Sequence, residues 1–154
     1  MRKEGEDEQT VRRASKDDLA VVYEIERQSF KDPYPAFFIE MLMTLNPDTF
    51  LVAQKEGRVV GYVVATKDQS TGHIVSIAVA PEEREKQVGR ILMENILVVL
   101  QKLEVETIRL EVRRNNLIAQ RFYESQGFVY NHEVSGYYGN EDAFVYYKSL
   151  QRIL

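Results

Sequence analysis

The chain has no cysteine, no tryptophan, four prolines and only two histidines, His73 and His132, among 154 residues. Without cysteine there is no disulfide framework, no thiolate nucleophile and no thiolate metal site. Two histidines are too few for a histidine-rich metal centre, so no metal is expected. No apolar run approaches the roughly 18 residues that a spanning helix needs, and no membrane partner is expected. The net charge of −4 lacks the basic excess of a dedicated DNA binder. The first residues mix charges without an apolar stretch, so they do not read as a secretory signal, and a cytoplasmic location is the default. What remains is an ordinary globular balance, 44% hydrophobic and 29% charged, at a length that suits one domain with a real core.

Residues 1–9 are polar and acidic and read as a disordered tail, leaving 10–154 as a single domain. Thr10–Arg13 reads as a first strand. Ser15 reads as an N-cap, with Asp17 and Asp18 in the first turn of a helix that runs to about residue 29. Asp32-Pro33-Tyr34-Pro35 interrupts helical structure. A second helix starts at Pro35 or Ala36 and ends before Asn46. Phe50–Gln54 and Arg58–Thr66 flank a hairpin turn at Lys55-Glu56-Gly57, and His73–Ala80 completes a meander. A helix follows with apolar residues at Val88, Ile91, Leu92, Ile96, Val99, Leu100 and Leu103. Thr107–Val112 alternates, with Ile108, Leu110 and Val112 on one face and Thr107, Arg109 and Glu111 on the other. A short helix from Asn116 to Gln126 ends at Gly127, and Val129–Tyr138 and Ala143–Ser149 are the last strands. The order βααβββαβαββ predicts an α/β fold, a mixed sheet with helices on its faces.

The most informative segment is Val79–Met93, where a short strand enters a charged turn that opens directly into a helix. Such a turn aims several backbone N–H groups one way, backed by the positive end of the helix dipole. That arrangement suits a phosphate or diphosphate. The expected cradle comprises Arg84, Glu85, Lys86, Gln87, Val88, Gly89 and Arg90, with added positive charge from Arg84, Lys86 and Arg90. Neither a Gly-x-Gly-x-x-Gly fingerprint after the first strand nor a Gly-Lys-Ser/Thr P-loop is present.

Four motifs stand in order: Gly72-His73-Ile74-Val75-Ser76-Ile77-Ala78-Val79, Arg84-x-x-Gln87-x-Gly89, Leu110-Glu111-Val112-Arg113, and Asn116-x-x-Ala119-x-x-x-Tyr123-x-x-x-Gly127-Phe128. In this order and spacing, from Val11 to Leu150, the chain resembles the GNAT superfamily of acyl-CoA-dependent N-acetyltransferases. Within it the chain is most similar to the RimI/Ard group, archaeal members especially, which acetylates protein N-termini. The resemblance implies acetyl-CoA as donor, Asn116 on its pantetheine arm and Tyr123 near its sulfur. One position departs: the family turn usually has Gly where this chain has Gln87. Either the turn needs no positive φ at Gln87, or cofactor binding is weakened there.

Tyr123 is a candidate general acid for the departing thiolate. Glu111 is the candidate base, since similar RimI sequences use the matching Glu. His73 is a second candidate, because an imidazole suits proton acceptance near neutral pH better than a carboxylate does. The backbone of Ile77, Ala78 and Val79 is expected to polarise the thioester carbonyl. Phe30, Asp32 and Tyr34 in one loop, with Tyr137 and Tyr138 in another, are expected to form the acceptor groove, and the resemblance supports a peptide slot. At pH 7 about one α-amine in seven is neutral, against about one lysine in 2,500, which favours protein N-termini as acceptors. A small-molecule amine or a lysine side chain is the alternative acceptor, and a non-catalytic acyl-CoA-binding module is a third reading. A monomer or weak homodimer is expected, and ribosome association is left open.

Overall fold

The structure, a computed structural model, describes residues 9–150. The expected tail lies outside these residues except for Gln9, which opens the first strand. The elements are β1 (Gln9–Arg13), α1 (Leu19–Ser29), α2 (Ala36–Leu45), β2 (Phe50–Lys55), β3 (Arg58–Asp68), β4 (Thr71–Val79), α3 (Val88–Lys102), β5 (Thr107–Arg113), α4 (Leu117–Ser125), β6 (Val129–Val134) and β7 (Ala143–Ser149). Short 3-10 turns at Lys16–Asp18 and Pro81–Glu83 precede α1 and α3. The sequence therefore predicts the observed order of strands and helices. The seven strands follow one another across the sheet as β1-β2-β3-β4-β5-β7-β6. The β4–β5 pair is parallel, whereas the β1–β2, β2–β3, β5–β7 and β6–β7 pairs are antiparallel. The described chain falls into two compact units: one holds residues up to Thr66 and Val75–Val99, the other Lys67–Ile74 and the residues from Leu100 onward.

In the first unit, β2 and β3 are joined by a two-residue loop in which Glu56 and Gly57 both have positive φ, 51° and 76°. Two such residues give a turn whose twist matches that of the flanking strands. The core gathers Val22 and Ile25 from α1, Ile39, Leu42 and Met43 from α2, and Phe50, Val52, Tyr62 and Val64 from the sheet. Burying each such side chain contributes about 1.5–3 kcal/mol. Gly61 is required by close approach, because a β-carbon there would lie 3.0 Å from both the Ala78 carbonyl oxygen and Leu92 Cδ1. At the head of α1, the Ser15 N–H donates to Asp18 Oδ2 at 2.8 Å and Arg12 grips the same carboxylate with two N–H groups.

The second unit is built on β5, whose alternation is as expected: Ile108, Leu110 and Val112 are buried, and the intervening residues are partly or fully exposed. β7 covers its whole length, from Thr107 opposite Ser149 to Arg113 opposite Ala143. One boundary differs from expectation. β6 stops at Val134 instead of running to Tyr138. Gly136 and Gly139 take φ of 64° and 83°, and the Gly136 N–H donates to Asp142 Oδ1 at 2.8 Å. Those two left-handed residues turn the chain out of the ladder and make 135–142 a loop.

Candidate active site

Within the second unit, the parallel ladder pairs Thr71–His73 with Thr107–Arg109. Side chains alternate along a strand, so Arg109 and Glu111 share a face, and His73 lies on it opposite Arg109. His73 Nε2 and Glu111 Oε2 approach to 2.6 Å, and Arg109 Nε donates to Glu111 Oε1 at 3.0 Å. Two residues 38 apart in sequence, each expected separately as a base, thus form one hydrogen-bonded pair. Only 11% of the Glu111 side chain is exposed. Desolvation alone would raise its carboxyl, but the hydrogen bond and charge of His73, helped by Arg109, hold it below the ordinary carboxylate value. Glu111 is therefore an anion at neutral pH. With the carboxylate as acceptor, the imidazole proton sits on Nε2, and a neutral ring keeps its lone pair on Nδ1.

Tyr123 is placed by the end of α4. The Phe128 N–H donates to the Tyr123 carbonyl and the Gly127 N–H to the Glu124 carbonyl, both at 3.0 Å, with Gly127 at φ 88°. This double closure is a Schellman motif, and the Tyr123 and Phe128 rings, 6.2 Å apart, supply its apolar contact. Tyr123 is half-buried, and desolvation pushes its phenol up to about 12. Asn116 is the N-cap of α4: its Oδ1 accepts the Ala119 N–H at 3.1 Å. Its carboxamide oxygen is thus engaged, and its NH2 is the group available to a ligand.

The loop that holds Tyr137 and Tyr138 belongs to the same electrostatic neighbourhood. Burial is the main cause that raises both phenols, and the negative charge of Glu111 adds to it in each. Tyr123 also acts on Tyr138. In the second unit, then, His73 and Glu111 touch, and the charges of Glu111 and Tyr123 reach the loop that bears Tyr138.

The first unit holds the remaining expected residues. After the Pro81–Glu83 turn, Glu85 and Gln87 take φ of 63° and 69°, and α3 begins at Val88. The first bond into the helix runs from the Ile91 N–H to the Gln87 carbonyl, 3.1 Å. Amides ahead of such a bond are those that a helix start leaves for an outside acceptor. The segment thus fits an anion, and Gln87 adopts the positive φ that the departure from Gly put in question. The three cations are less free than the sequence implies. Arg84 donates to the Val79 carbonyl and to Ser29 Oγ, both at 3.2 Å. Lys86 lies 3.7 Å from Glu83, and Arg90 bonds Gln87 Oε1 at 2.7 Å and Glu94. Ile77 and Val79 are half-buried on β4, with Ala78 buried between them. Among the acceptor-loop residues, Tyr34 packs its ring on Phe38 at 4.8 Å, and Phe30 and Asp32 are exposed.

The family described as Acetyltransferase (GNAT) matches residues 19–128. The chain belongs to the GNAT acetyltransferase family. It is 38% identical over 140 residues to an uncharacterized N-acetyltransferase of Methanocaldococcus jannaschii, covering 90% of each chain. It is 32% identical over 151 residues to an N-alpha-acetyltransferase of Saccharolobus solfataricus, covering 88% of this chain and 90% of the relative. The crystal structure of Ard1 from Thermoplasma volcanium superposes with a TM-score of 0.90 at 31% identity, over 94% of this chain and 99% of that one.

In this GNAT chain several supporting residues escaped the sequence reading. Glu83, 5% exposed, receives Lys55 at 3.3 Å, Lys86 at 3.7 Å and Arg58 at 3.9 Å, and so anchors the turn before α3. Gln120, also buried, donates to the carbonyls of Arg113 at 3.2 Å and Arg114 at 2.7 Å. Glu26, Tyr62 and Ser76 form a buried ring of hydrogen bonds in the first unit: Tyr62 to Glu26 at 2.9 Å, Ser76 to Glu26 at 3.2 Å, and Tyr62 to Ser76 at 2.8 Å. A carboxylate amid apolar helix positions was the available signal for Glu26; the other residues carry none. Among the described residues no cluster of His, Asp or Glu suits a metal ion, and no helix is long and apolar enough to cross a membrane.

Proposed function

We propose that this protein transfers the acetyl group of acetyl-CoA to the α-amine of protein or peptide N-termini, with the His73–Glu111 pair as the base. The 2.6 Å contact between those side chains is the observation that carries the reading. Support for the α-amine comes from the relatives named N-alpha-acetyltransferase and Ard1, from the tyrosine-bearing loop within reach of the Glu111 charge, and from the larger neutral fraction of an α-amine at pH 7.

The donor supplies an acetyl thioester. Backbone amides among residues 85–90 would hold its diphosphate. The amine nitrogen forms a bond to the thioester carbon, the carbon–sulfur bond breaks, and the amine proton passes to His73 Nδ1, directly or through a water. Glu111 holds the ring in the right tautomer and stabilises the imidazolium that forms. Glu111 alone is a poor acceptor, since an ammonium of pKa about 7.8 gives its proton to a carboxylate only steeply uphill. Tyr123 donates a hydrogen bond to the departing sulfur. With its phenol near 12, complete transfer to a thiolate of ordinary pKa about 8.5 costs about 5 kcal/mol, so the hydrogen bond, not full protonation, is its contribution. Holding both reactants makes their encounter effectively unimolecular, which removes much of the barrier without a metal or an enzyme nucleophile.

The test is thiol release from acetyl-CoA with short peptides that begin with Ser, Ala or Met, set beside a polyamine. Peptide-dependent release is expected; release with the polyamine alone would favour the small-amine reading, and binding without release the non-catalytic one. Glu111→Gln and His73→Ala should each lower kcat by about 10²-fold or more, and the double variant should lose little further, because the two groups act as a unit. Losses that multiply would separate the pair.

A further inference from the structure

We infer that Arg113 is the positioning residue of the 135–142 loop and sets peptide affinity through Tyr138. This rests on the reading of that loop as the peptide slot. Arg113 ends β5, two residues beyond Glu111. Its guanidinium carbon lies 4.2 Å from the centroid of the Tyr138 ring, and its Nη1 donates to Glu141 Oε2 at 3.0 Å. One side chain on a central strand therefore touches both ends of the 138–141 turn, which is itself closed by the Tyr138 N–H on the Glu141 carbonyl at 3.0 Å. The other carboxylate oxygen of Glu141 accepts the Asn115 N–H at 3.1 Å, immediately before the Asn116 cap. The Arg113 main chain is held in turn by Gln120.

The chemistry asks for arginine. Its planar guanidinium stacks on the ring face while its edge N–H meets a carboxylate, and a lysine ammonium cannot do both as a plane. The Tyr137 ring stands nearly perpendicular to that of Tyr138, 79° at 4.8 Å, so fixing Tyr138 fixes the aromatic pair. Without the clamp, the tyrosines would be ordered only when peptide binds, and that ordering would weaken affinity for the peptide.

The experiment is a double-variant cycle on peptide KM with wild type, Arg113→Met, Tyr138→Ala and the combination, with acetyl-CoA KM measured alongside. Arg113→Met should raise peptide KM roughly five- to tenfold, the range of a partly desolvated cation–π contact with an ion pair, and should leave acetyl-CoA KM within about twofold. In the Tyr138→Ala background the same substitution should do nothing more. Arg113→Lys, which keeps the charge, should fall between and carries the same cycle if the Met variant fails to fold by thermal melt. An equal rise in both backgrounds, no rise at all, or a matching rise in acetyl-CoA KM overturns the clamp while the slot reading stands. A Tyr138→Ala variant with unchanged peptide KM overturns the slot reading and the clamp with it.

Discussion

At Gln87 the backbone stands at φ 69°, a region where a β-carbon crowds the following carbonyl at about 1–2 kcal/mol per residue. The turn before α3 thus keeps the shape that glycine would adopt freely. Gln87→Gly is expected to leave unfolding free energy unchanged or higher. Gln87→Val, whose branched side chain resists positive φ most, should lower it by at least about 1 kcal/mol. Denaturant melts of the two variants check this, and the reverse order contradicts a left-handed Gln87. A charged turn opening into a helix was legible in the sequence; its conformation was not, because φ at a non-glycine residue follows from the flanking turn and helix. His73 and Glu111 were legible singly, from motif and face. Their contact was not, since it depends on the register that sets His73 opposite Arg109. For Tyr123, replacement by Phe removes a hydrogen-bond donor and little shape. It should lower kcat by about tenfold, the worth of one such bond, with acetyl-CoA KM unchanged; steady-state kinetics that show an equal kcat would remove the role.

Elements position these residues through contacts that periodicity does not report. α4 was predicted in place because Asn116, at its head, and Gly127, just past its end, are strong boundary signals. The end of β6 was missed because the change of direction rests on the Asp142 carboxylate and two left-handed glycines. Glu26 ties α1 to Tyr62 on β3 and Ser76 on β4 while only 1% exposed. Burial raises its carboxyl above the ordinary value, more than the two hydroxyl hydrogen bonds lower it. The folded state therefore holds a proton that the unfolded chain releases more readily. This contribution to stability is full below the ordinary carboxylate pKa and is lost as pH rises through the folded one. Glu26→Gln keeps an acceptor for Tyr62 and Ser76 and removes the ionisation. Its Tm relative to wild type should improve as pH rises from about 4 to 8, given a reference near 4.3; a difference that is flat or shrinks with pH contradicts a raised Glu26.

At the scale of the whole molecule, the order of strands and helices follows from punctuation in the sequence: the prolines around Tyr34, the Glu56-Gly57 turn, the charged turn before α3 and the switch from helical to alternating spacing at Thr107. What periodicity cannot encode is which distant residues share a face. For that reason the His73–Glu111 contact, and the reach of the Glu111 charge to Tyr137 and Tyr138, emerged only with the fold. The central claim concerns which nitrogen receives the acetyl group. The most direct measurement uses one synthetic peptide with a free α-amine and a single internal lysine, incubated with acetyl-CoA and the protein at pH 7 and sequenced by tandem mass spectrometry. The acetyl group is expected on the α-amine, in amounts that fall with Glu111→Gln; acetylation of the lysine in preference, or no transfer at all, would contradict the account.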